Sequence, residues 1–139
     1  MRRAVRYASG WIPYLYSPEQ YKSSLERISA MAGEEGRSLE GFQHALHVFT
    51  AFGPTPQEAV KTAARNLGAR YGQDFEQIVM RYALLGTAQD ITTRLRQYVE
   101  AGARHIVFAW ACSAAEAVKG IEAMAADVLP ALRYYPKSV

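Results

Sequence analysis

Residues 2–21 read RRAVRYASGWIPYLYSPEQY. Their order predicts the end of a helix, a short strand and the start of a second helix. Residues 1–7 suit a helix, and nothing caps its start. Gly10 stops that helix. Trp11, Ile12, Tyr14 and Leu15 then make a short apolar run suited to a buried strand. Pro13 has no N–H to give a ladder, so the strand ends near it. Ser17 is an N-cap, Pro18 takes the first helical position, and Gln20 is placed to complete a capping box. A strand that leads straight into a well-capped helix is one βα unit.

The same logic recurs along the chain. Tyr21, Leu25, Ile28 and Met31 form an apolar stripe on the helix after Ser17, with Gly33 and Gly36 as its stop. Residues 42–52, FQHALHVFTAF, carry apolar side chains on both alternating sets, which describes a strand covered on both faces and hence a parallel sheet. Thr55, Pro56 and Glu58 repeat the helix-start signal, and a shorter helical piece spans residues 74–84. Thr87 caps the next helix, whose stripe is Ile91, Leu95, Tyr98 and Val99 and whose stop is Gly102. Residues 104–111, RHIVFAWA, are a second strand with two apolar faces. Ser113 and Glu116 open the last helix, which Pro130 kinks or restarts. Three strands alternating with helices predict an α/β fold with a parallel sheet, in a single domain over residues 1–139.

Composition narrows the function classes. The chain has 139 residues, half of them hydrophobic and 21% charged, a globular balance. Sixteen Lys and Arg against thirteen Asp and Glu give a net charge of +3. The basic residues are dispersed, without the aromatic-interleaved run of a nucleic-acid surface. No apolar run approaches the ~20 residues of a membrane helix, and no signal-peptide pattern opens the chain. Cys112 is the single cysteine. It allows no internal disulfide, as expected of a reducing cytoplasm.

Three stretches bring a family into view. RRAVRYASGWIP (2–13) resembles the RRAAR-x-x-DGW-x-P helix-to-strand junction of the luciferase-like monooxygenases, with Ser9 where Asp is usual. SPEQYKSSLERISAMAGEEGR (17–37) resembles the helix that follows it there. GTAQDITTRLRQYVEAGARHIVF (86–108) resembles the family's late GTPEEVAERLRAYVEAGA helix and last strand. In order and correctly spaced, the three cover nearly the whole chain. The resemblance implies a partial (β/α)8 barrel, about the last three βα units of the usual eight. It places Met1 inside the helix after the fifth barrel strand, so that an N-terminal barrel portion would lie outside this chain.

The family resemblance implies FMN as cofactor, or alternatively a deazaflavin coenzyme. The early strands that hold much of the cofactor are missing here, so the isolated chain is expected to bind neither. Barrel sites lie at the C-terminal ends of strands. That rule singles out Trp11, Ile12 and Pro13, then Thr50, Ala51 and Phe52, then Phe108, Trp110 and Cys112. The residues expected to line a flavin or substrate pocket are Trp11, Ile12, Pro13, Thr50, Phe52, Phe108 and Trp110. The competing reading makes the four large aromatics core residues, the commoner use of such side chains. No general base is identifiable.

Other chemistry is weaker. His44 and His47, three apart on a strand, point to opposite faces and cannot share an ion, so no metal site is expected. Cys112 precedes a helix N-terminus, a position that lowers a thiol pKa, but a small apolar filler is its simpler role. Glu34 and Glu35 read as solvated. The expected function is therefore that of a fragment of a flavin-dependent oxidoreductase, incomplete as an enzyme alone. The alternatives are a non-catalytic, self-assembling module of the same fold and, third, a free-standing α/β binding protein. Three parallel strands leave two open edges and an uncovered inner face, so a homo-oligomer is expected.

Overall fold

The computed structural model describes residues 1–133; residues 134–139 of the expected domain lie outside the described residues. Helix starts follow the sequence closely. At α2 (Pro18–Glu34) the Ser17 hydroxyl accepts the Gln20 N–H at 3.2 Å, and the Gln20 side chain accepts the Ser17 N–H at 3.0 Å. The same reciprocal pair, Thr87 with Asp90 and Ser113 with Glu116, opens two later helices, residues 88–100 and 114–123. At α3 (Pro56–Tyr71) Thr55 accepts the Glu58 N–H, but the Glu58 carboxylate takes the Thr55 hydroxyl proton instead of its N–H, so half the expected box forms.

α1 (Arg2–Tyr7) lies on α2 and buries Val5 against Ile28 and Ala32. Arg2 and Arg6 pair with Glu34 and Glu35, the shortest contact being 2.7 Å from Arg6 to Glu35. The Glu35 carboxyl is held below its usual range, chiefly by the Arg6 hydrogen bond. These exposed pairs orient α1 more than they stabilise it. The Arg37 guanidinium does more, donating to the carbonyls of Val5 and Ala8 that the end of α1 leaves without partners.

Among the described residues five strands form, not three, and every pairing is parallel. β1 is only Gly10–Trp11 and pairs with β2 (Gln43–His44). The expected strand through Leu15 stops early because Leu15 adopts φ 57°, which turns the chain away after an isolated bridge from Tyr14 to His47. The expected single strand over residues 42–52 divides at Ala45 into β2 and β3 (Leu46–Phe52). The helix expected through residue 84 ends earlier, as α4 (Glu76–Tyr82), and Leu84–Gly86 becomes an unforeseen strand, β4. β5 is Ile106–Trp110.

β3 is the centre of the sheet, in the order β4-β3-β5. Its N–H groups alternate between edges. Those of Ala45 and His47 bond to Trp11 and Pro13, and that of Gly53 bonds to Gly86, so β1 and β4 share one edge of β3. Leu46 bonds to His105 and Ala111 to Thr50 across the other edge, where β5 lies. The succession of main strands is therefore β1, β3, β5, with β4 inserted beyond the end of β1.

Both faces of the sheet carry helices. α2 and α5 (Ala88–Glu100) cover one face together with a π-helical turn, Met124–Val128, that follows α6 (Ala114–Ala123). Here Tyr21, Ile91, Leu95, Tyr98 and Val128 bury Leu46, Val48 and Leu84, with Ile106, Phe108 and Trp110 packed alongside. On this one face α2 connects β1 to β3 and α5 leads into β5, which is the outer side in the winding of a barrel. α3 and α4 take the opposite, inner face, where Ala63, Leu67, Phe75 and Val79 bury Phe49, Ala51 and Ala111. This corrects the expectation of an uncovered inner face: only Ile12, Tyr14 and Val107 stay substantially exposed along it. The π turn comes just before Pro130, the second residue of α7 (Leu129–Arg133), where the helix restarts as the sequence expects.

Candidate functional site

The inner face and the α3–α4 junction enclose an open cavity of about 460 Å³. Residues 12–15 form one wall, His47 and Phe49 of β3 the floor, and Tyr71, Gln73 and Phe75 the far side. Strand alternation puts His47 and Phe49 on one face, and the bridge to Tyr14 brings the end of β1 beside them. The His47 ring is held edge-on between two others, Phe49 at 5.6 Å and Tyr14 at 6.4 Å. Its Nδ1 is enclosed and makes no hydrogen bond, the single buried side-chain polar atom among the described residues in that condition. No Lys, Arg, Asp or Glu lines the cavity.

The residues singled out from sequence divide between the two faces. Ile12 and Pro13 line the cavity, Ile12 exposed and Pro13 buried. Trp11 turns the other way, stacked on Tyr21 at 5.7 Å and edge-on to Tyr16 at 5.6 Å. Phe52 and Trp110 come together at 6.3 Å, and with Phe108 they pack toward the outer helices. The Trp110 ring lies so close to α6 that a Cβ on Gly120 would sit 2.5 Å from it. Thr50 is fully buried, its hydroxyl directed at the Val48 carbonyl at 3.4 Å. Sequence reading missed Tyr14, Leu15, His47, Phe49, Tyr71, Gln73 and Phe75 as cavity residues. For His47 and Phe49 the spacing of two was the available signal; for the α3–α4 junction there was none.

The remaining titratable groups settle into structural roles. The Tyr21 hydroxyl and His44 Nδ1 are 2.7 Å apart. Burial pushes Tyr21 up to about 12 and, with His105 and Arg104 nearby, pulls His44 down. Burial, then Glu116, raises the Cys112 thiol, which corrects the lowering expected from its place before a helix. Among the described residues no group of three His, Cys, Asp or Glu could hold a metal ion. No helix among them is long and apolar enough to cross a membrane.

The pattern of the luciferase-like monooxygenases matches residues 1–105. The chain belongs to that family. Solved structures similar to it share the fold at low identity. An F420-dependent secondary alcohol dehydrogenase in complex with an F420-acetone adduct superposes with a TM-score of 0.75 at 17% identity, over 95% of this chain and 45% of that one. The coenzyme F420-dependent tetrahydromethanopterin reductase from Methanopyrus kandleri gives 0.67 at 16%, over 93% of this chain and 47% of that one. The long-chain alkane monooxygenase LadA gives 0.62 at 18%, over 95% and 38%. The chain thus spans under half the length of the structures it matches, as a partial (β/α)8 barrel. No curated protein matches it.

A whole flavin or deazaflavin coenzyme does not fit the residues that line this cavity. Its phosphate would need a basic side chain, and no Lys or Arg lines the cavity.

Proposed function

We propose that this chain is the C-terminal wall of a flavin- or deazaflavin-dependent oxidoreductase acting on an organic substrate, and that it needs further strands to become an enzyme. The observation that carries this reading is the run of three parallel strands, β1, β3 and β5, with barrel-type helices on one face and an unpaired outer edge on β5. In it, Ile12 and Pro13 face the ligand space, while Trp11, Thr50, Phe52, Phe108 and Trp110 brace the strand ends from the outer side. The cofactor phosphate is held by strands this chain does not contain. FMN and F420 titrations test the reading. The chain alone should bind neither with a Kd below about 1 μM. Coexpression with the N-terminal portion of a related barrel should restore binding and flavin-dependent NAD(P)H oxidation or F420 turnover. Tight binding of either coenzyme by the chain alone would overturn it.

A second reading, a non-catalytic module of the same fold, is favoured by one observation: α3 and α4 already occupy the inner face. Failure of the coexpressed halves to associate would select it. In either reading, we propose that the chain works in a reducing compartment and self-associates through its open β5 edge.

A further inference from the structure

We propose that the cavity between β1, β3 and the α3–α4 junction is a binding site for a small, uncharged, planar aromatic molecule bearing a carbonyl oxygen that accepts a hydrogen bond from His47. The site belongs to this chain alone and does not rest on the enzyme reading above.

The volume, about 460 Å³, falls in the range of small-molecule sites. Its walls set the ligand's character. Phe49, Tyr71 and Phe75 contribute aromatic rings to the lining, and Leu15 contributes an aliphatic side chain. Flat aromatic ligands gain most from such walls. No Lys, Arg, Asp or Glu lines the cavity, so a charged ligand would lose its hydration without a partner.

His47 supplies the polar contact. The Tyr14 and Phe49 rings both stand edge-on to the His47 ring, which lowers the entropy cost of orienting it for a ligand. Nδ1 is enclosed without a partner, so the contact the ring can offer the cavity comes from Nε2. A buried N–H with no acceptor forfeits its whole hydrogen bond, so in the neutral ring the proton belongs on Nε2. Nε2 then donates, and the matching ligand atom is an acceptor. A carbonyl conjugated to an aromatic ring lies in the ring plane and reaches the donor while the ring stays between the walls.

Equilibrium dialysis of the chain with 2-acetylnaphthalene and with 2-ethylnaphthalene, nearly the same shape without the oxygen, tests this. The ketone should bind with a Kd below about 1 mM. It should bind up to about tenfold more tightly than the hydrocarbon, the worth of one good hydrogen bond. His47→Phe should bring the two affinities within about twofold by weakening the ketone alone. His47→Gln, which restores an N–H donor, should recover part of the preference. Circular dichroism confirms the fold of each variant, and a misfolded His47→Phe leaves the ketone-to-hydrocarbon ratio of His47→Gln and wild type as the deciding measurement. Equal binding of the two compounds by wild type, no binding of either, or a preference that survives His47→Phe would overturn the proposal.

Discussion

Among the described residues Tyr21 and Tyr98 are the two largest fully buried side chains, and each keeps its hydroxyl satisfied inside the core. Tyr21 meets His44 Nδ1, and Tyr98 donates to the Tyr16 carbonyl at 2.7 Å with the Tyr82 carbonyl at 3.2 Å. Burial raises both phenols to about 12. A raised acid keeps its proton in the folded state while the unfolded chain loses it near 10, so this stability is intact below pH 10 and is lost between pH 10 and 12. Each ring then contributes a loss of up to about 1.4 kcal/mol per pH unit. Urea melts at pH 9, 10 and 11 should show that fall, and Tyr98→Phe should flatten part of it. An absorbance titration at alkaline pH should show the last tyrosines ionising together with unfolding. His44 works in the other direction. Its lowered pKa means the unfolded chain binds the proton first, so stability falls as pH drops below about 6.5. At this scale the sequence was informative about caps and silent about facing. Ser17, Thr87 and Ser113 declared themselves through their partners three residues on. Trp11, Phe52, Phe108 and Trp110 declared burial, but which side of the sheet they bury against depends on the route of α3, which their own neighbours do not encode.

β1 and β2 are two residues each, and Gly10 is what lets them meet. A Cβ on Gly10 would lie 2.3 Å from the Gln43 carbonyl oxygen, a backbone atom that cannot swing aside. Gly10→Ala should therefore part the two strands, strip Trp11 from Tyr21 and cost about 2–4 kcal/mol. Gly33, inside α2 with open space where its Cβ would stand, is the contrast: Gly33→Ala should stabilise by up to about 1 kcal/mol. Chemical denaturation of both variants checks the pair, and equal midpoints would contradict the close approach. The helices were readable because each carries its own start signal and stripe. β4 was not, because Leu84, Leu85 and Gly86 are too few to show a period of two and they continue the apolar spacing of α4. The break at Ala45 was hidden for a related reason. Residues on both sides of it are good strand formers, and only the change of neighbour, from β1 to β5, separates β2 from β3.

Across the whole molecule, the sheet is covered on both sides and open along the outer edge of β5. That strand has no charged residue within Ile106–Trp110, and Val107 stands exposed on it at 46%. Uncharged edges of this kind invite another strand. Because α3 and α4 bury the inner face, the edge, not a broad apolar surface, is the force for association. The expected outcome at low micromolar concentration is a sedimenting species of twice 15.5 kDa. Val107→Lys should return it to a 15.5 kDa monomer without lowering its melting temperature; a wild-type monomer would remove β5 as an interface. The uniform strand direction has a mechanical consequence as well. Tension applied to the two ends of the chain draws β1 by its beginning and β5 by its end, in opposite senses, with β3 between them. The hydrogen bonds that join adjacent strands are then strained side by side rather than opened in turn like a zip, so resistance depends on how many stand in the row. Between β1 and β2 the row is very short. Under load the N-terminal unit of α1, β1 and α2 would come away first, leaving the seven-residue β3 with its longer row against β5 to bear the strain.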